Sequence, residues 1–165
     1  MKKFLIISDT HRNLNYLEKV LKQEPSNDFI FHLGDDYEDM IHLKSYWKNS
    51  ILYRVPGIFH PKYLSGELAK FEKVEIEGWN FILVHYIEDA PITSNSEIIC
   101  YGHTHNPAID KKNNSYFINP GHLKQAEHRG SIASYITLNV TNKEITLLFH
   151  NLKGEIINKK QINKI

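Results

Sequence analysis

Cysteine is almost absent from this sequence, and long apolar runs are absent altogether. Cys100 is the only cysteine, so no disulfide can form within the chain, which is typical of proteins from a reducing compartment. No run approaches the roughly 18 apolar residues that cross a membrane. The apolar run at residues 4–7 is too short for a signal peptide, and Ser8 and Asp9 end it without a cleavage pattern. We therefore expect a soluble, cytoplasmic protein with no membrane partner.

The chain also lacks an excess of either charge. Lys and Arg number 20 against 19 Asp and Glu, which gives a net charge of +1. Since a nucleic-acid binder normally carries a basic field, we expect nucleic acid only as a substrate. The 165 residues, 41% of them hydrophobic, suffice for one domain with a real core. We interpret Cys100, which lies in an apolar run, as a buried strand residue and not as a nucleophile.

The apolar pattern predicts an α/β chain whose first half alternates strands and helices. The continuous apolar run at residues 4–7 and the largely apolar segments at 28–33 and 51–55 predict strands, and helical spacing at 14–21 and 37–47 predicts intervening helices. This alternation implies parallel strands with right-handed crossovers. In the second half, further strands are predicted at 71–76, 81–84, 98–101, 116–118, 135–138, 144–149 and 155–157. Together these elements indicate two packed β-sheets with helices outside.

Polar side chains follow several of these runs at the points where the strands should end. Asp9 and His11 follow the first run, Asp35 follows the second, and His85 follows a third. His103 and His105 stand one residue apart after a fourth run. Ligands of open α/β sheets bind at the carboxyl ends of strands. Imidazole and carboxylate groups gathered there suit a divalent transition metal.

These motifs resemble, in order, those of the calcineurin-like metallophosphoesterases, and most closely the small bacterial and archaeal phosphodiesterases of that superfamily. The matching segments are Asp9-x-His11, Gly34-Asp35, His85, Gly102-His103-x-His105 and Asn119-Pro120-Gly121. The resemblance runs from Lys3 to about Val140. It implies an α/β (α+β) fold, a four-layer αββα sandwich of two mixed β-sheets flanked by helices. It also implies a single metallophosphoesterase domain over residues 1–165 without a cap domain.

The resemblance further implies a site for two divalent metal ions. One ion takes Asp9, His11 and His105, while the catalytic Asp35 bridges to a second ion that adds His85 and His103. Mn²⁺ is the favoured ion, with Fe, Ni, Co and Zn as alternatives. The implied activity is that of a phosphodiesterase, in which a metal-bound hydroxide attacks the phosphate ester. Hydrolysis of a phosphomonoester or a nucleotide by the same chemistry is an alternative.

Two residues at the expected metal and substrate site depart from the family pattern. Ile58 falls where an Asn ligand of the second metal is expected, and Phe59 falls where many relatives place the His that protonates the leaving group. The second ion can then bind weakly with water, or His60 can act as the replacement ligand or acid. Alternatively the protein holds one ion and is slow or inactive. His60 can also be a plain loop residue beside Pro61.

Three further residues are candidates for substrate binding. Arg12 and Asn13 follow the first motif, where Arg12 can contact a phosphate with its forked donors; Asn13 is alternatively a helix N-cap. His122 replaces a Ser of the family and can line the site or hydrogen-bond a ligand, or be a turn residue. Tyr86 replaces a Gly. We interpret the other histidines as structural or solvated: His32, His42, His128 and His150.

A rival hypothesis makes the chain a protein-interaction scaffold that has lost activity. A eukaryotic retromer subunit resembles this family and works as an interaction module, and Ile58 and Phe59 favour that comparison. Retention of all six Asp and His ligands favours an enzyme, since a scaffold has no need for them. A homodimer is a further expectation from the family.

Overall fold

The computed structural model describes residues 1–91 and 97–164, which contain thirteen strands and three short or medium α-helices. The strands are β1 (Lys2–Ile7), β2 (Phe29–His32), β3 (Ile51–Arg54), β4 (Phe71–Ile76), β5 (Trp79–Val84), β6 (Ile98–Cys100), β7 (Ala108–Lys112), β8 (Ser115–Asn119), β9 (Glu127–His128), β10 (Ser131–Ile132), β11 (Ser134–Val140), β12 (Glu144–Asn151) and β13 (Ile156–Asn163). The helices are α1 (Leu14–Gln23), α2 (Asp39–His42) and α3 (Pro61–Leu64).

Two mixed sheets carry the fold, as the sequence predicts. The six-stranded sheet has the order β13-β12-β11-β1-β2-β3, with β1, β2 and β3 parallel and the other neighbours antiparallel. The five-stranded sheet has the order β4-β5-β6-β8-β7, with β5, β6 and β8 parallel. Strands β9 and β10 form a separate two-stranded hairpin. Strand β7 and this hairpin are not predicted from the sequence.

The main core lies between the two sheets. Phe4 and Phe31 from the first sheet meet Phe81 from the second, with ring centroids 5.3 to 5.6 Å apart. All three rings are buried, and aromatic pairs at this spacing add to the free energy gained from burial alone. Cys100 is buried in β6, where burial raises the pKa of its thiol. The interpretation of Cys100 as a buried strand residue is therefore confirmed.

The outer faces of the sheets are covered unequally. Helix α1 buries Leu17, Val20 and Leu21 against the outer face of the six-stranded sheet. The described cover of the other sheet is thin: a 3₁₀ turn at Ile87–Asp89, which contributes Ile87 to the cluster around Ile82 and Ile99. None of the helices in the described part of the chain is long and apolar enough to cross a membrane.

The helix predicted at residues 37–47 is wrong in length. The segment forms only α2 and a 3₁₀ turn at Lys44–Tyr46. The Met40 carbonyl accepts from the Leu43 amide and from the Trp47 indole at 2.8 Å, so it is used outside the α-helical pattern. The short α2 places the buried Asp39 beneath the loop that follows β1.

Candidate metal centre

The six predicted ligands lie where parallel strands of both sheets end. Asp9 follows β1, Asp35 follows β2, His85 follows β5, and His103 and His105 follow β6. Backbone hydrogen bonds join the first two loops, from the Asp9 amide to the Gly34 carbonyl and from the His11 amide to the Asp35 carbonyl. The two sheets therefore bring together side chains that are up to 96 positions apart in the sequence, between Asp9 and His105.

Five of the six predicted ligands adopt a left-handed backbone conformation. The φ angles lie between 40° and 67° at Asp9, His11, Asp35, His103 and His105. Non-glycine residues rarely adopt positive φ, and such strain persists only where surrounding structure holds it, often at functional sites. The clustering of these outliers at one end of the sandwich indicates that chain geometry here serves the placement of side chains.

Four of these side chains form a tight cluster of ligand atoms. Single ligand atoms of Asp9, His11, Asp35 and His105 all lie within 4.8 Å of one another. Nε2 of His105 is 3.0 Å from Oδ1 of Asp9 and 3.2 Å from Nε2 of His11. Nε2 of His11 is 3.6 Å from Oδ2 of Asp35. The donor atoms thus converge on one point.

The hydrogen bonds of Asp9 indicate that this point suits a cation. Oδ2 accepts from the Ser8 hydroxyl at 2.5 Å and from the His103 amide at 3.0 Å, whereas the buried Oδ1 has no hydrogen-bond partner. An unpartnered buried carboxylate oxygen is costly. Two imidazole nitrogens 3.2 Å apart can both bind one ion at the usual distance of about 2.0–2.1 Å. The donor set therefore fits a divalent transition metal.

Asp35 lies between this cluster and a second group of imidazoles. Its Oδ2 is 3.3 Å from Nε2 of His85, whose ring centroid is 5.3 Å from that of His103. The Nδ1 of His85 donates to the Leu33 carbonyl at 2.7 Å, which leaves Nε2 directed at Asp35 without a hydrogen bond of its own. Burial acts to raise the pKa of Asp35, but the nearby His85, His11 and His103 outweigh it and lower that pKa.

Glycines allow the close approach of backbone and ligand side chains. A Cβ at Gly57 would stand 1.8 Å from Oδ1 of Asp35, and one at Gly34 would stand 2.4 Å from Nδ1 of His85. Atoms cannot approach so closely, so any side chain at either position would displace a ligand. Gly34 also has a φ of 103°, which only glycine adopts readily.

The turn after β3 carries both departures from the family pattern. Ile58 is half-buried and Phe59 is 79% exposed. The next residue, His60, caps α3: its Nδ1 accepts from the Lys62 amide and its Nε2 is 3.0 Å from Oε1 of Glu38. His60 lines the same groove as Asp35, but both of its nitrogens have other partners. The structure does not bring it to the ligand cluster.

The three predicted substrate residues differ in their surroundings. The side chain of Arg12 is 84% exposed and its Nε is 3.6 Å from the Asp36 carboxylate. The side-chain oxygen of Asn13 accepts from the Tyr16 amide, and its side-chain nitrogen donates to the Lys124 carbonyl. The first bond caps α1, as the alternative interpretation of Asn13 expects. His122 is fully buried, with its ring 5.3 Å from His105 and its Nε2 donating to the Ser131 carbonyl.

Supporting residues of the site are missed by sequence reasoning. Asp39 accepts from the Thr10 hydroxyl at 2.6 Å and from the Arg12 amide at 3.0 Å, and so anchors the loop that carries His11. The Nε2 of His32 is 3.2 Å from the same hydroxyl, and burial lowers the pKa of His32 to about 4. Nδ1 of His128 is 2.7 Å from Nδ1 of His105. No local pattern indicates these contacts, because they join distant segments.

The sandwich and its carboxylate–imidazole cluster define an α/β protein built to bind metal. A sequence profile of the calcineurin-like phosphoesterase superfamily domain matches residues 2–143, and the chain belongs to this superfamily. The predicted family and fold class are therefore confirmed. Membership together with the ligand cluster makes the chain a metal-dependent phosphoesterase whose substrates are phosphate esters.

Individual relatives share the family or the fold. A probable metallophosphoesterase of Mycoplasma genitalium is 27% identical over 162 residues, covering 88% of this chain and 92% of the relative. Yfce, a phosphoesterase from E. coli, superposes with a TM-score of 0.77 at 23% identity, covering 98% of this chain and 100% of that chain. Vps29 of Entamoeba histolytica complexed with zinc has a TM-score of 0.68 at 16% identity and 98% coverage of both chains. The two structural likenesses concern the fold alone.

Proposed function

We propose that the protein is a phosphodiesterase whose centre is built from the six predicted ligands. Asp9, His11 and His105 would hold one ion, Asp35 would contribute to both positions, and His85 and His103 would complete the second. The observation that carries the proposal is the buried, unpartnered Oδ1 of Asp9 beside two converging imidazoles. Nε2 of His105 and Nε2 of His11 face that oxygen at 3.0 and 3.9 Å, so three donors of the kind that bind transition metals meet there.

Some residues of the site would hold the ions, and others would orient the phosphate ester. Divalent ions at such a centre supply a nucleophile from water near neutral pH and neutralise charge on the phosphoryl oxygens. Asp35 would serve both positions, because its carboxylate faces His11 on one side and His85 on the other. Arg12 stands exposed in the groove beside Asp35 and can donate to a phosphate oxygen.

The groove beside Asp35 supports a diester as the substrate. It has a volume of about 260 Å³ and runs between Arg12, Asp35 and the exposed ring of Phe59. A diester keeps two organic groups, and the second of these needs an apolar surface next to the phosphate. Phe59 offers such a surface, so one organic group of a diester can pack against its exposed ring.

The donor atoms in the site bear on which ion binds and on how tightly the second position holds its ion. Oxygen and imidazole donors suit Mn²⁺, with Fe, Ni, Co and Zn as alternatives. Ile58 offers no donor, so we propose that the second position is weaker than the first. His60 stays a prediction as a substitute ligand or acid, because it would first have to leave Glu38. The cytoplasmic location and the homodimer also stay predictions.

The scaffold is the second candidate, and the turn after β3 favours it. Ile58 and Phe59 replace polar groups at the chemistry, and Phe59 is exposed as a docking residue would be. The zinc complex of the Entamoeba Vps29 shows that a protein of this shape can bind metal. Metal content alone therefore cannot separate a scaffold from an enzyme, and turnover must be measured on the same sample.

The test is to strip the protein with a chelator, reload it with Mn²⁺, and measure bound metal and hydrolysis together. Bis(p-nitrophenyl) phosphate and p-nitrophenyl phosphate serve as the diester and the monoester. We expect metal-dependent turnover with a preference for the diester, lost in Asp35→Asn but kept in Asp28→Asn, a carboxylate remote from the site. Bound metal without turnover of either ester would overturn the proposal and favour the scaffold. A preference for the monoester would overturn the diester assignment alone.

A further inference from the structure

We propose that His128 is a positioning residue for the metal centre, and that the hairpin β9–β10 exists at this point to hold His128 against His105. The inference rests on the proposed role of His105 as a metal ligand. It assigns a function to a histidine that no motif indicates. The observation behind it is the 2.7 Å distance between Nδ1 of His105 and Nδ1 of His128.

The direction of this hydrogen bond follows from the other nitrogen of His105. Nε2 of His105 points to the cluster, 3.0 Å from Oδ1 of Asp9 and 3.2 Å from Nε2 of His11. A ligand nitrogen must offer its lone pair, so the proton of a neutral ring sits on Nδ1. His105 therefore donates to His128, which accepts through its own Nδ1. The proton of His128 then lies on Nε2, so Nζ of Lys124, 3.4 Å from that nitrogen, is a neighbour of it and not its donor. This bond fixes both the tautomer and the rotation of the His105 ring.

The hairpin has several connections to the same region. His128 pairs with Ser131 across the two strands. The Ser131 carbonyl accepts from Nε2 of His122, and its hydroxyl donates to Oδ1 of Asn106, the residue next to His105. The rings of His122 and His128 lie 5.3 Å and 4.6 Å from that of His105. The hairpin is thus tied to the chain neighbour of the ligand, Asn106, and to His122, whose ring lies beside that of His105.

The turn of the hairpin is built for a tight reversal. Arg129 and Gly130 both have positive φ, 51° and 78°, the combination that two-residue type I′ hairpin turns require. A Cβ at Gly130 would meet no atom within 4 Å, so a larger residue there would act only through the backbone. Gly66 has the same φ of 78° and equally open space, and it lies outside the hairpin. The chain therefore provides a matched pair of glycines.

The experiment measures Mn²⁺ affinity of the chelator-stripped full chain by calorimetry, with His105→Ala marking the ion that depends on His105. We expect His128→Leu to lower the binding affinity for that ion about 10- to 100-fold, the usual effect of removing the hydrogen-bond partner of a metal ligand. His128→Asn, whose amide oxygen can accept in place of Nδ1, should bind within a few fold of wild type. Gly130→Val should weaken binding, and Gly66→Val should not.

A histidine with a purely structural role should affect thermal stability and not Mn²⁺ affinity. His150→Leu, which removes a buried imidazole bonded to Thr137 on the six-stranded sheet, should lower the melting temperature and leave Mn²⁺ affinity unchanged. Equal Mn²⁺ affinity of His128→Leu and wild type overturns the inference while leaving the proposed function intact. If wild type binds no Mn²⁺, both fail. If His128→Leu does not fold, the comparison of Gly130→Val with Gly66→Val decides.

Discussion

Replacing Gly57 by alanine should disable the centre without unfolding the protein. The new Cβ would stand 1.8 Å from Oδ1 of Asp35, whereas the shortest favourable contacts between carbon and oxygen in proteins are about 3.3 Å long. The carboxylate must therefore retreat by about 1.5 Å. Gly57 has no positive φ, so the backbone accepts alanine, and the strain falls on Asp35.

The size of the effect follows from where Asp35 can go. Its side chain is 19% exposed at the edge of the groove, so it can swing outward and the loss of stability should stay near the lower end of the 1–3 kcal/mol typical of overpacking. A displacement of about 1 Å at reacting groups costs about 10²-fold in rate. We therefore expect kcat/KM for the diester to fall at least 100-fold.

The assay compares Gly57→Ala with wild type in Mn²⁺-dependent hydrolysis of bis(p-nitrophenyl) phosphate and in thermal unfolding with EDTA. Gly66→Ala is the control, because its Cβ would meet nothing within 4 Å. Activity of Gly57→Ala within threefold of wild type, at full metal content, would refute the bridging position of Asp35. A collapse of the melting temperature would refute the argument that Asp35 can yield.

Three other predictions concern single side chains around the site. Phe59→Ala should raise KM for the diester about 5- to 10-fold, since stacking contributes at least about 1 kcal/mol; Phe71→Ala, on β4, is the control, and an unchanged KM would remove Phe59 from the groove's function. The pKa of buried His32 is lowered from 6.5 to about 4, so its contribution to stability is present above pH 6.5 and is lost as the pH falls toward 4. The free energy of unfolding, measured with urea in the presence of EDTA, should fall between pH 7 and pH 5 in wild type. In His32→Gln this fall should be about 2 kcal/mol smaller; an equal fall in both proteins would contradict the prediction. Asn13→Ala should cost about 1 kcal/mol in urea unfolding through loss of the α1 cap, and an unchanged KM would favour the cap over substrate binding.

The predicted strands hold where local pattern and tertiary position agree. Residues 4–7 are a continuous apolar run, and residues 28–33 are apolar at all positions but Asp28 and His32; both segments form central parallel strands buried on two faces. The helix predicted at 37–47 fails because Trp47 and Leu43 both bond the Met40 carbonyl and shorten the helix. Strand β7 is missed because most of it is exposed and charged at a sheet edge, so it lacks the alternation by which strands are recognised.

The candidate ligands follow from sequence order, but their supports do not. Asp9 and His11 are recognisable because they stand directly after a strand, in a motif of three residues. His128 is recognisable only from space, because it is 23 positions from His105 and carries no local signature. The opposite holds for His60: its position beside Ile58 makes it attractive as a substitute, yet its capping of α3 and its contact with Glu38 direct it elsewhere.

The sequence by itself determines the family, the alternation of buried strands and the chemical type of the centre, because these depend on periodicity and on motifs of neighbouring residues. Only the tertiary structure decides which of the ten histidines face one point and which merely pack. The physical reason is that a hydrogen bond or a shared ion depends on distances of about 3 Å, and those distances are set by how two sheets stack. His105 and His128 become partners only when β6 and the hairpin β9–β10 have both been placed.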